Sequence, residues 1–385
     1  MIYLDNSATT KIHPQVLDTY VKTSQRILGN PSSLHELGNQ AQRLLQESRK
    51  QIAQLLNVAS SEIFFTSGGT EGDNWVLKGT ALAKHAFGKH MIISAIEHPA
   101  VKETAAQLEQ LGFVVDIVPV NTQGFVDVAG LAKLLRKETI LVSVMAVNNE
   151  IGSVQPIEAI SELLADYPTI HFHVDAVQAV GKIATSQWLT PRVDFATVSG
   201  HKFHGPRGVG FIYWKTGRKL APLLNGGGQE QNQRSGTENV PAIVAMARAL
   251  RLTMTDWELK AQHMRRNRDY LARSLAQYPA VTLYSSTEEN FAPHILCFGI
   301  RDIRGEVVVH AFEEKEIFIS TTSACSSRKK TPSSTLHAMG VADWEAKTAV
   351  RISLDESNTL AEMEQFLIQM AFLQEKFSKI NHLSK

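Results

Sequence analysis

Hydrophobic residues in this chain fall in short β-branched runs separated by stretches of helical period. Met91–Ala95, Phe113–Val118, Thr139–Val147, Ile170–Asp175, Phe195–Ser199 and Val209–Trp214 read as strands. Several are apolar on both faces, as strands buried between helices are. Helical spacing covers Glu36–Leu56, Glu71–Phe87, Pro99–Leu111, Val128–Arg136 and Ile157–Ala165. This alternation predicts an α/β fold with a mostly parallel sheet wrapped by helices. Ligands bind such sheets at the carboxyl ends of strands, where Asp175 and Ser199 fall. The alternation stops near Asn225–Gly236, a Gly- and Gln-rich loop. One long helical pattern follows over Val240–Ala276, then strand-like His294–Ile300 and Ala349–Leu354, then a helical tail. The pattern predicts a large domain over 15–255 and a smaller one built from 1–14 and 256–385.

Composition narrows the class. With 385 residues, 43% hydrophobic and 20% charged, the chain has ample material for a globular core. A formal charge of +1 gives no reason to expect nucleic acid or an anionic membrane as partner. No apolar run reaches the roughly 18 residues of a membrane span, and Met1–Asn6 lacks the basic and apolar regions of a secretory signal. The only two cysteines, Cys297 and Cys325, argue against a disulfide framework and for a cytoplasmic protein with one special thiol.

Candidate chemistry gathers at the predicted strand ends. Lys202, in Ser199-Gly200-His201-Lys202, is an amine able to form a Schiff base. Asp175, in His173-Val174-Asp175-Ala176-Val177-Gln178, is a carboxylate able to keep a pyridinium nitrogen protonated. Pyridoxal 5'-phosphate needs those two groups above all. Thr66-Ser67-Gly68-Gly69-Thr70-Glu71 leads into a helix, and its glycines let backbone N–H groups approach an anion. An ordinary strand-to-helix turn reads equally well there. His98, in Glu97-His98-Pro99, is either an imidazole over a cofactor ring or a helix-start residue ahead of Pro99. Asn148-Asn149-Glu150-Ile151-Gly152 is either a pair of active-site amides or plain turn. Arg351 lies inside an apolar run, so it needs a carboxylate, from an amino-acid substrate or from the protein. Cys325 stands in the polar loop Ser323–Lys330, where Arg328 and Lys329 favour the nucleophilic thiolate. Cys297, in an apolar run, is structural. His171, His173, His201 and His204 lack the acidic or cysteine partners of a metal site, so no metal is expected.

Together with Tyr3–Thr10 and Gly29–His35, these segments resemble the cysteine desulfurases of the NifS/IscS type, within the class V aminotransferase family. The resemblance spans almost the whole chain, and it is the order of all the motifs that carries it. It implies the fold type I of pyridoxal-phosphate enzymes, with a seven-stranded sheet in the large domain and a smaller α+β domain carrying the cysteine loop. By position it implies Lys202 as the Schiff-base lysine, Asp175 as the pyridinium partner, Gln178 on the ring hydroxyl and His98 stacked on the ring. Gly69, Thr70, Ser199 and His201 match phosphate contacts, and Thr237 matches one donated by a second subunit, which implies a homodimer. Asn149, ahead of Asn148, matches the active-site amide that contacts cofactor and substrate, Arg351 the carboxylate-binding arginine, and Cys325 the cysteine that accepts sulfur. The implied reaction turns L-cysteine into L-alanine and passes a persulfide to an acceptor protein, for iron–sulfur cluster assembly or tRNA thiolation. A selenocysteine lyase, an aminotransferase and a non-catalytic scaffold are the competing readings; an aminotransferase has no need of Cys325 on a polar loop, a scaffold has no need of Lys202, Asp175, His98 and Cys325 together, and selenocysteine cleavage stays open. The chain departs from the family pattern at Gln229, often histidine, and at Asp355, usually glycine.

Overall fold

The computed structural model describes residues 1–322 and 333–383, with side chains through residue 375. Thirteen strands form three sheets among these residues. Seven make the central sheet: β2 (Ile63–Thr66), β3 (His90–Ser94), β4 (Val114–Val118), β5 (Thr139–Ser143), β6 (His171–Asp175), β7 (Phe195–Ser199) and β8 (Gly210–Trp214). Their order is β2-β8-β7-β6-β5-β3-β4. Only β8 runs against its neighbours, so the sheet is mostly parallel, as the alternating pattern predicts. Every residue of β3, β5, β6, β7 and β8 is buried. Helices cover both faces, which is why these strands are apolar throughout rather than alternating.

The remaining strands come from the start of the chain and from its last third. The order β12 (Ser320–Thr321), β13 (Ala349–Ser353), β10 (Ile295–Ile300), β9 (Val281–Leu283) makes a four-stranded antiparallel sheet. The pair β1 (Ile2–Tyr3) and β11 (Ile317–Phe318) is parallel. Leu4 joins Met264, Leu296, Val350 and Phe366 in a core separate from the one beneath the central sheet.

Helices Glu36–Leu56 and Ile157–Ala165 span the residues that hydrophobic spacing marks. Two elements differ. Val240–Ala276 is two helices, Val240–Met254 and Trp257–Leu275. The break falls at Asp256, which takes a left-handed conformation (φ 53°) that aspartate tolerates better than most side chains. Apolar spacing runs through this corner because both helices bury a face, in different cores. The strand read as Thr139–Val147 ends at Ser143. Just beyond it Glu97 Oε1 accepts the Met145 N–H at 2.8 Å, so that donor is lost to the ladder, while the Val144 and Ala146 N–H groups still donate to His173 O and Asp175 O of β6.

Candidate active site

The carboxyl ends of β2, β3, β5, β6 and β7 open into one cavity of ≈ 1140 Å³. Among its lining residues are Gly69, Thr70, His98, Asn149, Asp175, Gln178, Ser199, His201, Lys202 and Arg351. Parallel strands deliver these side chains to one edge because each strand ends there and hands its last residues to a turn. Thr237 is exposed and does not line this cavity. Cys325 and its loop lie outside the described residues.

Each lining group has a local cause. Gly68 caps the helix Gly69–Lys84 with φ 148°, a conformation L side chains rarely adopt. A Cβ on Gly69 would stand 2.9 Å from Val177 Cγ2. The first-turn N–H groups of that helix therefore face the cavity beside Ser199 and His201, a donor set suited to a phosphate. His98 caps the helix Pro99–Gln110 and its Nδ1 accepts the Ala100 N–H at 3.1 Å. Both readings of His98 thus hold, since the capping ring also lines the cavity. Burial first, then the charges of Lys202 and Lys102, push its pKa down to about 4. With Nδ1 occupied as an acceptor, the neutral ring carries its proton on Nε2. His201 is also held near 4, by burial and by Lys202, and its Nδ1 lies 3.2 Å from Thr9 Oγ1.

Asp175 is 4% exposed and its Oδ1 accepts the Val177 N–H at 2.9 Å. Burial raises its pKa to about 6, while that hydrogen bond and Lys202 pull the other way. An acid in this setting is ready to ionise once a cation faces it. Lys202 Nζ donates to the Ser7 and Ala8 carbonyls at 2.5 and 2.9 Å. Arg351 Nη1 donates to Asn149 O at 2.9 Å, and Nη2 to Asp5 Oδ1 at 2.8 Å. The internal salt bridge is therefore present, yet Arg351 Nε is buried without an acceptor. The two asparagines separate cleanly. Asn148 is buried, donating to Ile96 O and accepting from the Glu150 and Ile151 N–H groups, so it builds the turn. Asn149 lines the cavity. His171 and His173 pair with hydroxyls of Thr80, Ser143 and Thr197. Among the described residues no group of three His, Cys, Asp or Glu is arranged to hold a metal ion.

Two buried carboxyls at this cavity were not marked from sequence. Asp73 is 2% exposed and Glu97 3%, and each borders the cavity. Asp73 follows Gly69 by one helical turn, which is the signal that would have found it. Burial and the charge of Asp175 raise its pKa well above the carboxylate range. Glu97 stands in the same motif as His98. Its Oε1 takes the Ser94 hydroxyl and Met145 N–H, its Oε2 has no partner, and burial pushes its pKa up to about 8. A carboxyl held near 8 in the fold and near 4.5 unfolded binds its proton more tightly when folded. That stabilisation is complete below about pH 4.5 and is lost as pH rises through about 8. Between about pH 5 and pH 9 the cofactor-free Glu97→Gln protein is expected to lose roughly 2–4 °C less in melting temperature than the parent. Equal losses in the two proteins would contradict this assignment.

A helix start, a lysine amine and a buried carboxyl line one cavity, and these are the kinds of group that pyridoxal phosphate needs. Together with the sheet topology they define a pyridoxal-phosphate-dependent enzyme of fold type I. Residues 2–366 match the aminotransferase class-V family. A protein of Lactobacillus delbrueckii subsp. bulgaricus named NifS/IcsS protein homolog is 54% identical over 385 residues, 100% of both chains. The cysteine desulfurase IscS of Dictyoglomus turgidum is 38% identical over 380 residues, 99% of this chain and 96% of the relative. A solved NifS-like protein is 38% identical with a TM-score of 0.91, over 97% of this chain and 99% of that one. The chain belongs to the class V aminotransferase family, as a cysteine desulfurase of the NifS/IscS type. No helix among the described residues is long and apolar enough to cross a membrane.

Proposed function

We propose that this chain removes sulfur from L-cysteine at the cavity described above, with Cys325 receiving it, and releases L-alanine. The observation that carries this reading is that Lys202, Asp175, His98 and Arg351, far apart in sequence, line a single cavity. Bound pyridoxal phosphate supplies an electron sink that makes the substrate α-proton acidic. Lys202, which lines the cavity, would hold the cofactor through its amine. Asp175 keeps the proton on the ring nitrogen, and Gln178 contacts the ring hydroxyl. His98 would face the ring and, neutral with its proton on Nε2, can exchange a proton at that atom. Gly69, Thr70, Ser199 and His201 hold the phosphate. Arg351, which lines the cavity, would pair with the substrate carboxylate, with Asn149 beside it. The Cys325 thiolate attacks the substrate sulfur, forming an S–S bond as the C–S bond breaks.

Thr237 completes the phosphate site of a second copy, so the working unit is a homodimer. Its exposure outside its own chain's cavity supports this. The separate cores support a cofactor-binding domain over 15–255 and a smaller domain made of 1–14 and 256–385. The persulfide passes in the cytoplasm to an acceptor protein serving iron–sulfur cluster assembly or tRNA thiolation. The test is alanine formation from L-cysteine, with a thiol reductant, by the parent and by Cys325→Ala. The variant is expected to be slower by at least about a hundredfold, the reductant substituting poorly for a positioned thiolate. Equal rates would remove Cys325 as acceptor, and no alanine from either protein would overturn the reading.

A further inference from the structure

Gln178 is gripped from two sides by residues remote from it in the chain. Its Nε2 donates to Ser7 O at 3.0 Å, and its Oε1 lies 3.3 Å from His294 Nε2. His294 is 2% exposed and immediately precedes β10. Its own position is set by the small sheet, since its carbonyl accepts the Leu354 N–H at 2.8 Å. Ser7 is held by the same sheet, its N–H donating to Ser353 Oγ at 2.8 Å.

The protonation of His294 follows from its surroundings. Burial and the charges of Lys182, Arg268 and Arg351 hold its pKa well below the usual histidine value, so the ring is neutral. A neutral imidazole has a single N–H. His294 Nδ1 is buried with no partner, and a donor placed there would be left unsatisfied. The proton therefore sits on Nε2 and is donated to Gln178 Oε1. Ser7 O, an acceptor, decides which end of the amide is nitrogen, and His294 fixes the plane in which that amide lies. One Nε2–H of Gln178 is used on Ser7, and the other remains for the cavity that Gln178 lines.

We propose that His294 is a positioning residue: it orients the Gln178 amide so that its remaining N–H meets the cofactor's ring hydroxyl. The inference rests on the Gln178 role stated above and deepens it. A donor at that oxygen stabilises its anionic form. Losing the donor, or letting it swing away, favours the protonated form and moves the pH midpoint of the bound cofactor's visible absorption upward.

The experiment compares His294→Phe, His294→Gln, Gln178→Leu and the double variant Gln178→Leu/His294→Phe, each loaded with pyridoxal phosphate. Absorption is titrated against pH, and cofactor affinity of the apo-proteins is measured by fluorescence. Gln178→Leu is expected to raise the midpoint by about one unit and weaken cofactor binding about tenfold. His294→Phe should reproduce most of that shift. The double variant should match Gln178→Leu alone, because His294 acts only through Gln178. His294→Gln retains an amide donor and should recover at least about half of the shift. It also keeps the test open where the larger apolar ring disturbs folding. A shift in Gln178→Leu with none in His294→Phe overturns the inference and leaves the Gln178 role standing. No shift in Gln178→Leu overturns both. Additive shifts in the double variant overturn positioning through Gln178.

Discussion

Lys202→Ala is expected to give a folded protein that binds no cofactor covalently and makes alanine at least about ten-thousand-fold more slowly. The side chain stands in the cavity with its Nζ on the Ser7 and Ala8 carbonyls. Losing those contacts costs about 1 kcal/mol per hydrogen bond, too little to unfold a domain of this size. The loss of rate comes from losing the tether. A cofactor held only by its phosphate and ring contacts is no longer presented to substrate by a displaceable amine. The measurement is the visible absorption of the variant after addition of pyridoxal phosphate, with alanine production beside it. Among the described residues Lys102 is the other lysine at this cavity, with a pKa lowered by burial and its Nζ on Ser334 Oγ at 3.0 Å. Retention of the absorption band in Lys202→Ala and its loss in Lys102→Ala would move the anchor to Lys102.

The second large effect is expected at Asp175. Asp175→Asn preserves shape and leaves an oxygen for the Val177 N–H, so the turn after β6 survives. What disappears is the negative charge at a site that is 4% exposed. An amide cannot hold a proton on a ring nitrogen as a carboxylate does, and in a buried site no water compensates. Alanine formation is expected to fall about a thousandfold, with cofactor affinity weakened about tenfold. Asp73 does not take over, because burial, the larger cause of its raised pKa, still keeps its carboxyl protonated when the Asp175 charge is gone. Residual activity above about a tenth of the parent rate would make Asp73, not Asp175, the partner of the ring nitrogen.

Much of the candidate site was legible because it is written locally. Asp175 and Ser199 end buried strands, and His98, Asn149 and His201–Lys202 follow such ends within a few residues, so finding the strand end finds the residue. Where one residue has two neighbours the sequence allowed two readings, and the structure often keeps both. His98 caps a helix and lines the cavity. Arg351 pairs with Asp5 and still has an unused Nε. Asp73 and Glu97 escaped notice because a carboxylate announces itself only when burial is known. His294 could not be connected to Gln178 because the contact joins segments more than a hundred residues apart, |i−j| = 116.

By itself the sequence determined the α/β layering, the strand ends that meet in the cavity, and the residues on which cofactor chemistry depends. Hydrophobic period and short motifs are properties of neighbouring residues, and a buried parallel strand shows them whatever surrounds it. Only the tertiary structure decided where β5 ends, where the long helical pattern breaks, which of the two asparagines faces the cavity, and how Gln178 is held. Those outcomes turn on a captured N–H, a left-handed corner and hydrogen bonds between distant segments. Their free energies exist only once the chain has brought both partners out of water together.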